Sequence, residues 1–421
     1  MRILYLVHQY IPEYVGGTEL YTHWVAYALN QRGHQVTVFY RRSAEGAGQR
    51  HHVEEGVHVW AAWAGSPSPT RRFLATFGNL PLVHVFERVL EEAHPDLIHI
   101  QHLMGLPVAL VHSIQRRGLP FVVTLHDYWW VCANANLLTN YSQQICNGPR
   151  AYLNCARCAL ARAGHSRLWP VLLPVAGLLA WRNHILAQAL EAASGLVAPT
   201  EFVHRWYTAH GAPAERLQVI SPGLERVTAT PRRTQRSGGP VRFAYIGGLS
   251  WQKGVHVLVE AFDGMRGMGE LWIAGDESCA PAYVARLRAQ AAPSIRFLGR
   301  LTREEVWETL AQVDVVAVPS LCYESFSFIV SEAFAAGVPV VASCLGPVAD
   351  RVRDGVDGLL VPPGDVAAWR AALQRLVDEP DLLARLRANV RPPMMLEEHV
   401  DRLESLYAQL VKGNSRGQPA P

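Results

Sequence analysis

Short apolar, β-branched runs alternate along the chain with segments whose apolar residues recur every third or fourth position, which predicts strands and helices in turn. The first part opens with a strand at Ile3 to Val7 and a helix from Thr18 to Gln31. Thr18 is placed to cap that helix, and Leu20, Trp24 and Ala28 form its packing face. A strand at Val36 to Tyr40 follows Gly33, then a strand at Asp96 to Ile100, a helix from Leu106 to Arg117 and a strand at Pro120 to Leu125. Gly195 to Ala198 and Leu217 to Ile220 read as the last strands of this part. Residues 227–240 are polar, rich in Gly and Pro and without apolar period, so they read as a linker. A second alternation begins at Val241 to Ile246 and ends near Arg391. After Pro392-Pro393, Leu396, Val400, Leu403 and Leu406 form a helical stripe within residues 392–412 that needs a surface to cover it, and 413–421 reads as a disordered tail. Strands alternating with helices imply parallel sheets, so the fold class is α/β, with two doubly wound domains, 1–226 and 241–391, facing a cleft.

Composition narrows the function. The 421 residues, 49% of them hydrophobic, suffice for two separate cores. A formal charge of +3, from 39 basic and 36 acidic residues, gives no field that would make nucleic acid the main partner. Met1 to Val7 lacks the pattern of a signal peptide, so a cytoplasmic location is expected. The longest apolar run, Leu168 to Trp181, carries two prolines and a glycine and is shorter than the roughly 20 residues of a membrane span. It reads as a buried helix, or, with Arg162, Arg167 and Arg182 near its ends, as a segment resting on an anionic membrane surface.

Candidate chemistry gathers where strands end. Asp314 to Val318 is a buried strand, and the loop after it carries Glu324, Phe326 and Ser327 before a helix that holds Glu332 on its second turn and stops at Gly337-Val338-Pro339. Ligands of open α/β sheets bind at this edge, and the stretch reads as half of a site for an activated sugar. Gly16-Gly17-Thr18-Glu19 and Ile246-Gly247-Gly248-Leu249 with Lys253-Gly254 both join a strand to a helix, where backbone N–H groups can meet phosphate. Neither loop has the three spaced glycines of a dinucleotide site. In the first domain, His126-Asp127-Tyr128-Trp129 ends one strand, and His99, Gln101 and His102 end its neighbour. Such a group suits sugar hydroxyls and ring faces, or proton handling near neutral pH. Cys132, Cys146, Cys155 and Cys158 crowd residues 132–158, with Cys155 to Cys158 forming a C-x-x-C. A structural zinc, free thiols and a redox pair all remain open.

These motifs, in this order and spacing over residues 1–411, resemble glycosyltransferase family 4, whose members have two Rossmann-like domains in the GT-B arrangement. Ala335-Ala336-Gly337-Val338-Pro339-Val340-Val341-Ala342 belongs to the same resemblance. It implies a retaining transfer from a nucleotide-diphosphate sugar, with a UDP, GDP or ADP base, to a glycan, lipid-linked or small-molecule acceptor, with no essential metal. It also implies that the C-terminal helix crosses back to the first domain. By position, Glu332 resembles the residue on the ribose hydroxyls and Glu324 the one facing the donor sugar. Phe326 and Ser327 meet the sugar or diphosphate through backbone, Lys253 neutralises the leaving diphosphate, and the base lies near Phe297, held largely by main chain. Gly16, Gly17 and Gly247 approach the donor, and His126 and Asp127 meet the transferred sugar and the acceptor, beside His99, His102, Tyr128 and Trp129.

Two departures stand out. Many relatives carry an arginine where Gly248 stands, and glycines where Ser325 and Ser327 stand. The paired carboxylates also allow a glycosidase, but two phosphate-binding loops and a glutamate under the nucleotide argue against hydrolysis, and the chain has no Asp-x-Asp triplet of the metal-dependent type. A nucleotide-sugar epimerase on the same fold and a non-catalytic sugar-nucleotide-binding subunit stay open as alternatives. Synthesis of a polysaccharide or glycolipid at the inner face of a membrane, with peripheral contact to it, is the expected setting.

Overall fold

The computed structural model describes residues 1–65, 68–165, 169–225, 238–265 and 269–417. It divides into two compact units, Met1–Gly223 with Met395–Pro421, and Leu224–Met394. Residues 226–237, most of the predicted linker, lie outside the described residues.

The first unit is built on β1 (Arg2–Val7), β2 (Gln35–Arg41), β3 (Ala47–Glu54), β4 (Val57–Ala64), β5 (Leu97–Ile100), β6 (Phe121–Thr124), β7 (Gly195–Ala198) and β8 (Leu217–Val219). Their order is β3-β4-β2-β1-β5-β6-β7-β8, parallel except for the antiparallel pairing of β3 with β4. Strands β5, β6 and β7 are buried along their whole length, which is why they read as continuous apolar runs rather than alternating ones. The β3–β4 hairpin has no counterpart in the sequence reading. Its outer strand, Ala-Gly-Gln-Arg-His-His-Val-Glu, is mostly exposed and polar, as an edge strand can be.

The first helix runs Gly17–Gln31 and is capped at Gly16, two residues earlier than the cap predicted at Thr18, because Gly16 takes the extended backbone at the cap. The C-terminal helix Leu396–Gly417 belongs to this same unit. Its stripe of Leu396, Val400, Leu403 and Leu406 is buried, joined by Tyr407. At roughly 1.5–3 kcal/mol for each large apolar side chain, this face supplies much of the docking energy. Polar pairs fix its register. Tyr407 Oη lies 2.8 Å from Tyr5 Oη and 2.6 Å from His99 Nδ1. His399 donates from Nδ1 to Ser221 O at 2.8 Å, so its Nε2 accepts from Tyr21 at 2.8 Å. Helix continues to Gly417, into the segment predicted as a tail from Gly413.

The helix Leu172–Glu191 buries Leu179, Arg182, Leu186 and Leu190. It leaves Leu173 72% and Trp181 53% exposed, so it is buried on one face only. The apolar run read from Leu168 starts outside the described residues. Among the described residues no helix is long and apolar enough to cross a membrane.

The second unit carries β9 (Val241–Ile246), β10 (Gly269–Ala274), β11 (Ile295–Gly299), β12 (Val315–Val318), β13 (Val340–Ser343) and β14 (Gly358–Val361). They form one parallel sheet in the order β11-β10-β9-β12-β13-β14. The order reverses between β9 and β12, so the loops leaving these two strands flank a crevice at the carboxyl edge. Helices packed on one side enclose Phe243, Leu258, Phe262 and Trp369, and on the other Trp307, Leu310, Val330 and Phe334.

Candidate active site

In the second unit the loops leaving β9 and β12 are drawn together by a glycine. Gly254 has φ +72°, and a Cβ there would stand 1.9 Å from Pro319 O, so only glycine lets the two backbones meet. Leu321 N–H donates to Gln252 O at 2.8 Å across the same contact. Lys253 is thereby brought to Glu324, Nζ to Oε1 at 2.8 Å, and Ser320 Oγ donates to the same oxygen at 2.5 Å. Burial works against both charges, but each group overrides it for the other: the ammonium holds the Glu324 carboxyl below its ordinary 4.5, and the carboxylate raises Lys253 above its ordinary 10.5. The pair therefore stays charged throughout the interval between those values.

Glu332 lies on the second turn of the helix Phe328–Ala335, 6% exposed, and pairs with Arg303 Nη1. Arg303 opens the helix Arg303–Gln312, whose start is fixed by a reciprocal cap between Thr302 and Glu305. Between the two glutamates the backbone is pinned by Arg351, which donates to Phe326 O, to Ser327 O at 2.9 Å and to Ser331 Oγ at 2.6 Å. Its guanidinium lies 3.9 Å from the centre of the Phe326 ring. Ser327 has φ +66°, the left-handed conformation that favours glycine, at the position where relatives are expected to carry one. Sequence reasoning missed Arg303, Arg351 and Ser320. The base-side strands are stitched together as well: Gly247 N–H donates to Ala274 O at 3.0 Å and Gly275 N–H to Gly299 O at 2.8 Å. Phe297 is partly buried under the Arg288 guanidinium, 4.5 Å from its ring centre.

The environment of Gly248 is open, with no atom within 4 Å of the point where a Cβ would stand. Gly248→Arg is therefore expected to fold normally and to tighten UDP binding about tenfold, the worth of one charge-assisted contact. Calorimetric titration of both proteins checks this, and weaker binding by the variant would refute it.

In the first unit the strand-end residues divide into core and site. His99 is fully buried, with Nε2 2.7 Å from Thr124 Oγ1 and Nδ1 on Tyr407, so it is a structural histidine and not an acceptor contact. Tyr128 is 1% exposed and packs its ring on Trp206 and Tyr207, which also removes it from an acceptor role. His102 accepts at Nδ1 from Met104 N–H at 3.0 Å, leaving Nε2–H to donate to Asp127 Oδ2 at 3.1 Å. Asp127 is held further by Trp129 N–H, 2.8 Å from Oδ1. His126 Nε2 lies 2.6 Å from Gln101 Oε1, and the amide nitrogen of Gln101 is buried without a partner. His8, given no role in the sequence reading, packs at a tilt against His102 with centroids 4.4 Å apart and stands 3.4 Å from Glu19. Glu19 caps its own helix: a Cβ on Gly16 would stand 2.6 Å from its Oε2. The Glu19 carboxyl thus lies beside the Gly16 backbone, and burial raises its pKa.

Burial, reinforced by His102, pushes His126 down to about 3. This corrects the expectation of proton handling near neutral pH, since the ring is neutral there and acts through hydrogen bonds. Burial also pushes His399 down to about 4. Both groups have lowered folded values, so the unfolded chain binds more protons below 6.5 and stability falls as pH falls. At pH 5 each histidine is expected to cost roughly 2 kcal/mol relative to pH 8. Thermal melts across that range check it, and a flat melting temperature would contradict it.

Cys132, Cys146, Cys155 and Cys158 line one cavity of about 40 Å³. Cys158 Sγ accepts from Asn134 Nδ2 at 3.0 Å and Asn140 N–H at 3.2 Å, and burial raises the thiol pKa of Cys132, Cys155 and Cys158. Among the described residues no group of three or more His, Cys, Asp or Glu side chains could hold a metal ion. The four cysteines as placed do not fit the structural zinc that their spacing allows, and they are free, hydrogen-bonded thiols.

Two parallel-sheet units, the second with a lysine and two glutamates around its switch point, define a GT-B glycosyltransferase. Family models described as Glycosyltransferase Family 4 and Glycosyl transferases group 1 match residues 15–226 and 240–379, and the chain belongs to glycosyltransferase family 4. It is 26% identical to a glycogen synthase of Mycobacterium tuberculosis, over 100% of this chain and 97% of that protein. It is 27% identical to a D-inositol 3-phosphate glycosyltransferase of Mycolicibacterium smegmatis, over 96% of this chain and 89% of that one. The structure of Anabaena HepE in complex with UDP-glucose has the same fold, with a TM-score of 0.63 and 19% identity over 98% of this chain and 99% of that one.

Proposed function

We propose that this glycosyltransferase uses a nucleotide-diphosphate sugar, holds it in the second unit, and transfers the sugar with retention of anomeric configuration and without a catalytic metal. The observation that carries the reading is the Lys253–Glu324 pair at 2.8 Å, set beside the helix that bears Glu332. Lys253 meets the diphosphate as negative charge grows on the leaving oxygen, exchanging part of its contact with Glu324 for one with phosphate. Glu324 faces the sugar, Glu332 receives the ribose hydroxyls, and the backbone at Phe326 and Ser327, fixed by Arg351, presents N–H groups to the donor. The UDP-glucose held by HepE and the naming of relatives as glycogen synthase and D-inositol 3-phosphate glycosyltransferase support a hexosyl donor.

The ionisation states favour a front-face displacement. Glu324 is kept as a carboxylate by Lys253, so it is not a general acid, and His126 is kept neutral by burial, so it is not a proton carrier. The proton of the acceptor hydroxyl then passes to the departing phosphate oxygen, through an oxocarbenium-like transition state, beside the neutral His126. An epimerase needs acid and base groups around one bound donor, and the carboxylate nearest the sugar, Glu324, is held low where such an acid would be raised. The acceptor is a glycan or lipid-linked sugar, and the exposed Leu173 and Trp181 suit peripheral contact with a membrane where that acceptor resides. Proton NMR of the product formed from an α-linked UDP-sugar tests the reaction: an α-linked product is expected, and a β-linked one overturns the front-face mechanism.

A further inference from the structure

The loop that leaves β9 offers the crevice main chain rather than side chains. Gly247 and Gly248 are exposed, and Leu249, 1% exposed, sends its side chain into the same core cluster as Tyr245 and Leu258. Nothing in the fold demands glycine at 248. Its φ lies outside the left-handed region, and no atom stands within 4 Å of the point where a Cβ would be. A larger residue would fit there, so what the glycine supplies is bare backbone that a ligand can approach closely.

That backbone is pinned from below. Gly275 admits it to the end of β10, since a Cβ at Gly275 would stand 2.1 Å from Gly247 O. Tyr245, 4% exposed, donates from Oη to Gly248 O at 2.7 Å, and Ser250 N–H donates to the same oxygen at 3.1 Å. Burial raises the Tyr245 hydroxyl well above its usual 10, so it keeps its proton and remains a donor. The contact has a direction. A trans peptide sets the C=O of one residue and the N–H of the next on opposite sides of one plane. With Gly248 O turned toward Tyr245, Leu249 N–H points away from that ring, and among the described residues it meets no acceptor. An unpaired backbone donor on a residue so little exposed is costly. Lys253, four residues further along the same loop, brings a cation to the same crevice.

Resting on the glycosyltransferase reading, we propose that Tyr245 is a positioning residue for the donor: by holding Gly248 O it aims Leu249 N–H at the terminal phosphate of the nucleotide, which the bare backbone of Gly248 lets come close. A hydrogen bond from N–H to a charged oxygen is stronger than one between neutral groups, and it serves the phosphate from this loop without a second cation beside Lys253. Tyr245 touches neither the substrate nor the reacting atoms and acts only through the peptide it holds.

The test is calorimetric titration of the full chain with UDP, GDP and ADP and with the matching monophosphates. The proteins are the wild type, Tyr245→Phe, and Tyr245→Phe combined with Gly248→Arg. The readout is the ratio of diphosphate to monophosphate affinity, because a general loosening of the fold weakens both ligands alike. For the nucleotide that the wild type binds best, that ratio is expected to fall about fivefold or more in Tyr245→Phe, with monophosphate binding unchanged. Gly248→Arg in the same chain is expected to restore it, since a cation on the open side of the loop replaces the lost main-chain contact. A tyrosine with a merely structural role would not be rescued in this way. An unchanged ratio in Tyr245→Phe, or a lowered ratio that Gly248→Arg does not raise, overturns the inference. Failure of all three diphosphates to bind the wild type would instead remove the donor reading on which it rests.

Discussion

Lys253→Ala is expected to lower sugar transfer by about 10²–10³-fold, the usual consequence of removing one preorganised group from a developing negative charge. The loss falls mainly on kcat, because the lysine contributes most when the diphosphate departs. The fold should suffer less. Glu324 keeps Ser320 Oγ at 2.5 Å, but its side chain is 12% exposed and loses its counter-charge. An uncompensated carboxylate at that depth costs on the order of 1–3 kcal/mol. Adding Glu324→Gln removes the unpaired charge, so the double variant should recover the melting temperature and remain inactive. Steady-state kinetics and thermal melts on the two proteins check both halves. Near wild-type turnover by Lys253→Ala would remove the lysine from the mechanism.

Arg351→Met is expected to reduce transfer by about 100-fold or more while raising KM for the donor. The guanidinium holds two carbonyl oxygens of the loop and the Ser331 hydroxyl of the helix that follows, and covers the Phe326 ring. Without it Phe326 O and Ser327 O lose their donor, and the left-handed Ser327 loses the contact that keeps it in a costly conformation. Glu324 and Glu332 then remain in the chain but no longer in register with one donor. Arg351→Lys should not rescue, because an ammonium lacks the fork that spans two carbonyls and the flat face that covers a ring. A donor titration by calorimetry separates this from global unfolding. Unchanged donor affinity in a folded Arg351→Met protein would show that the loop needs no such support.

Most strands of both sheets were legible because buried parallel strands carry unbroken apolar runs, as at Phe121–Thr124 and Val315–Val318. The β3–β4 hairpin was not, since an exposed edge strand needs no apolar face. The stripe of the C-terminal helix showed that it must be covered, and its polar end hid that helix continues to Gly417. In the site, Lys253 and Glu324 were found from their loops, and the close approach permitted by Gly254 explains their meeting across the sequence. Arg351 and Arg303 were invisible because a partner 25 or 29 residues away leaves no local pattern. His99 was assigned to the acceptor because position at a strand end does not reveal which way a ring points, and here it points to Thr124 and Tyr407. The depressed His126 likewise depends on neighbours from other elements, His102 and His399 among them.

The central claim is that the second unit binds the donor nucleotide through Lys253 and Glu332. Thermal shift of the wild type, Lys253→Ala and Glu332→Gln with UDP, GDP, ADP and free phosphate tests it most directly, since a ligand stabilises the fold it binds by mass action. At least one nucleoside diphosphate should raise the melting temperature of the wild type, less for Lys253→Ala and less for Glu332→Gln, with free phosphate losing its effect only in Lys253→Ala. An equal shift in all three proteins would contradict the account.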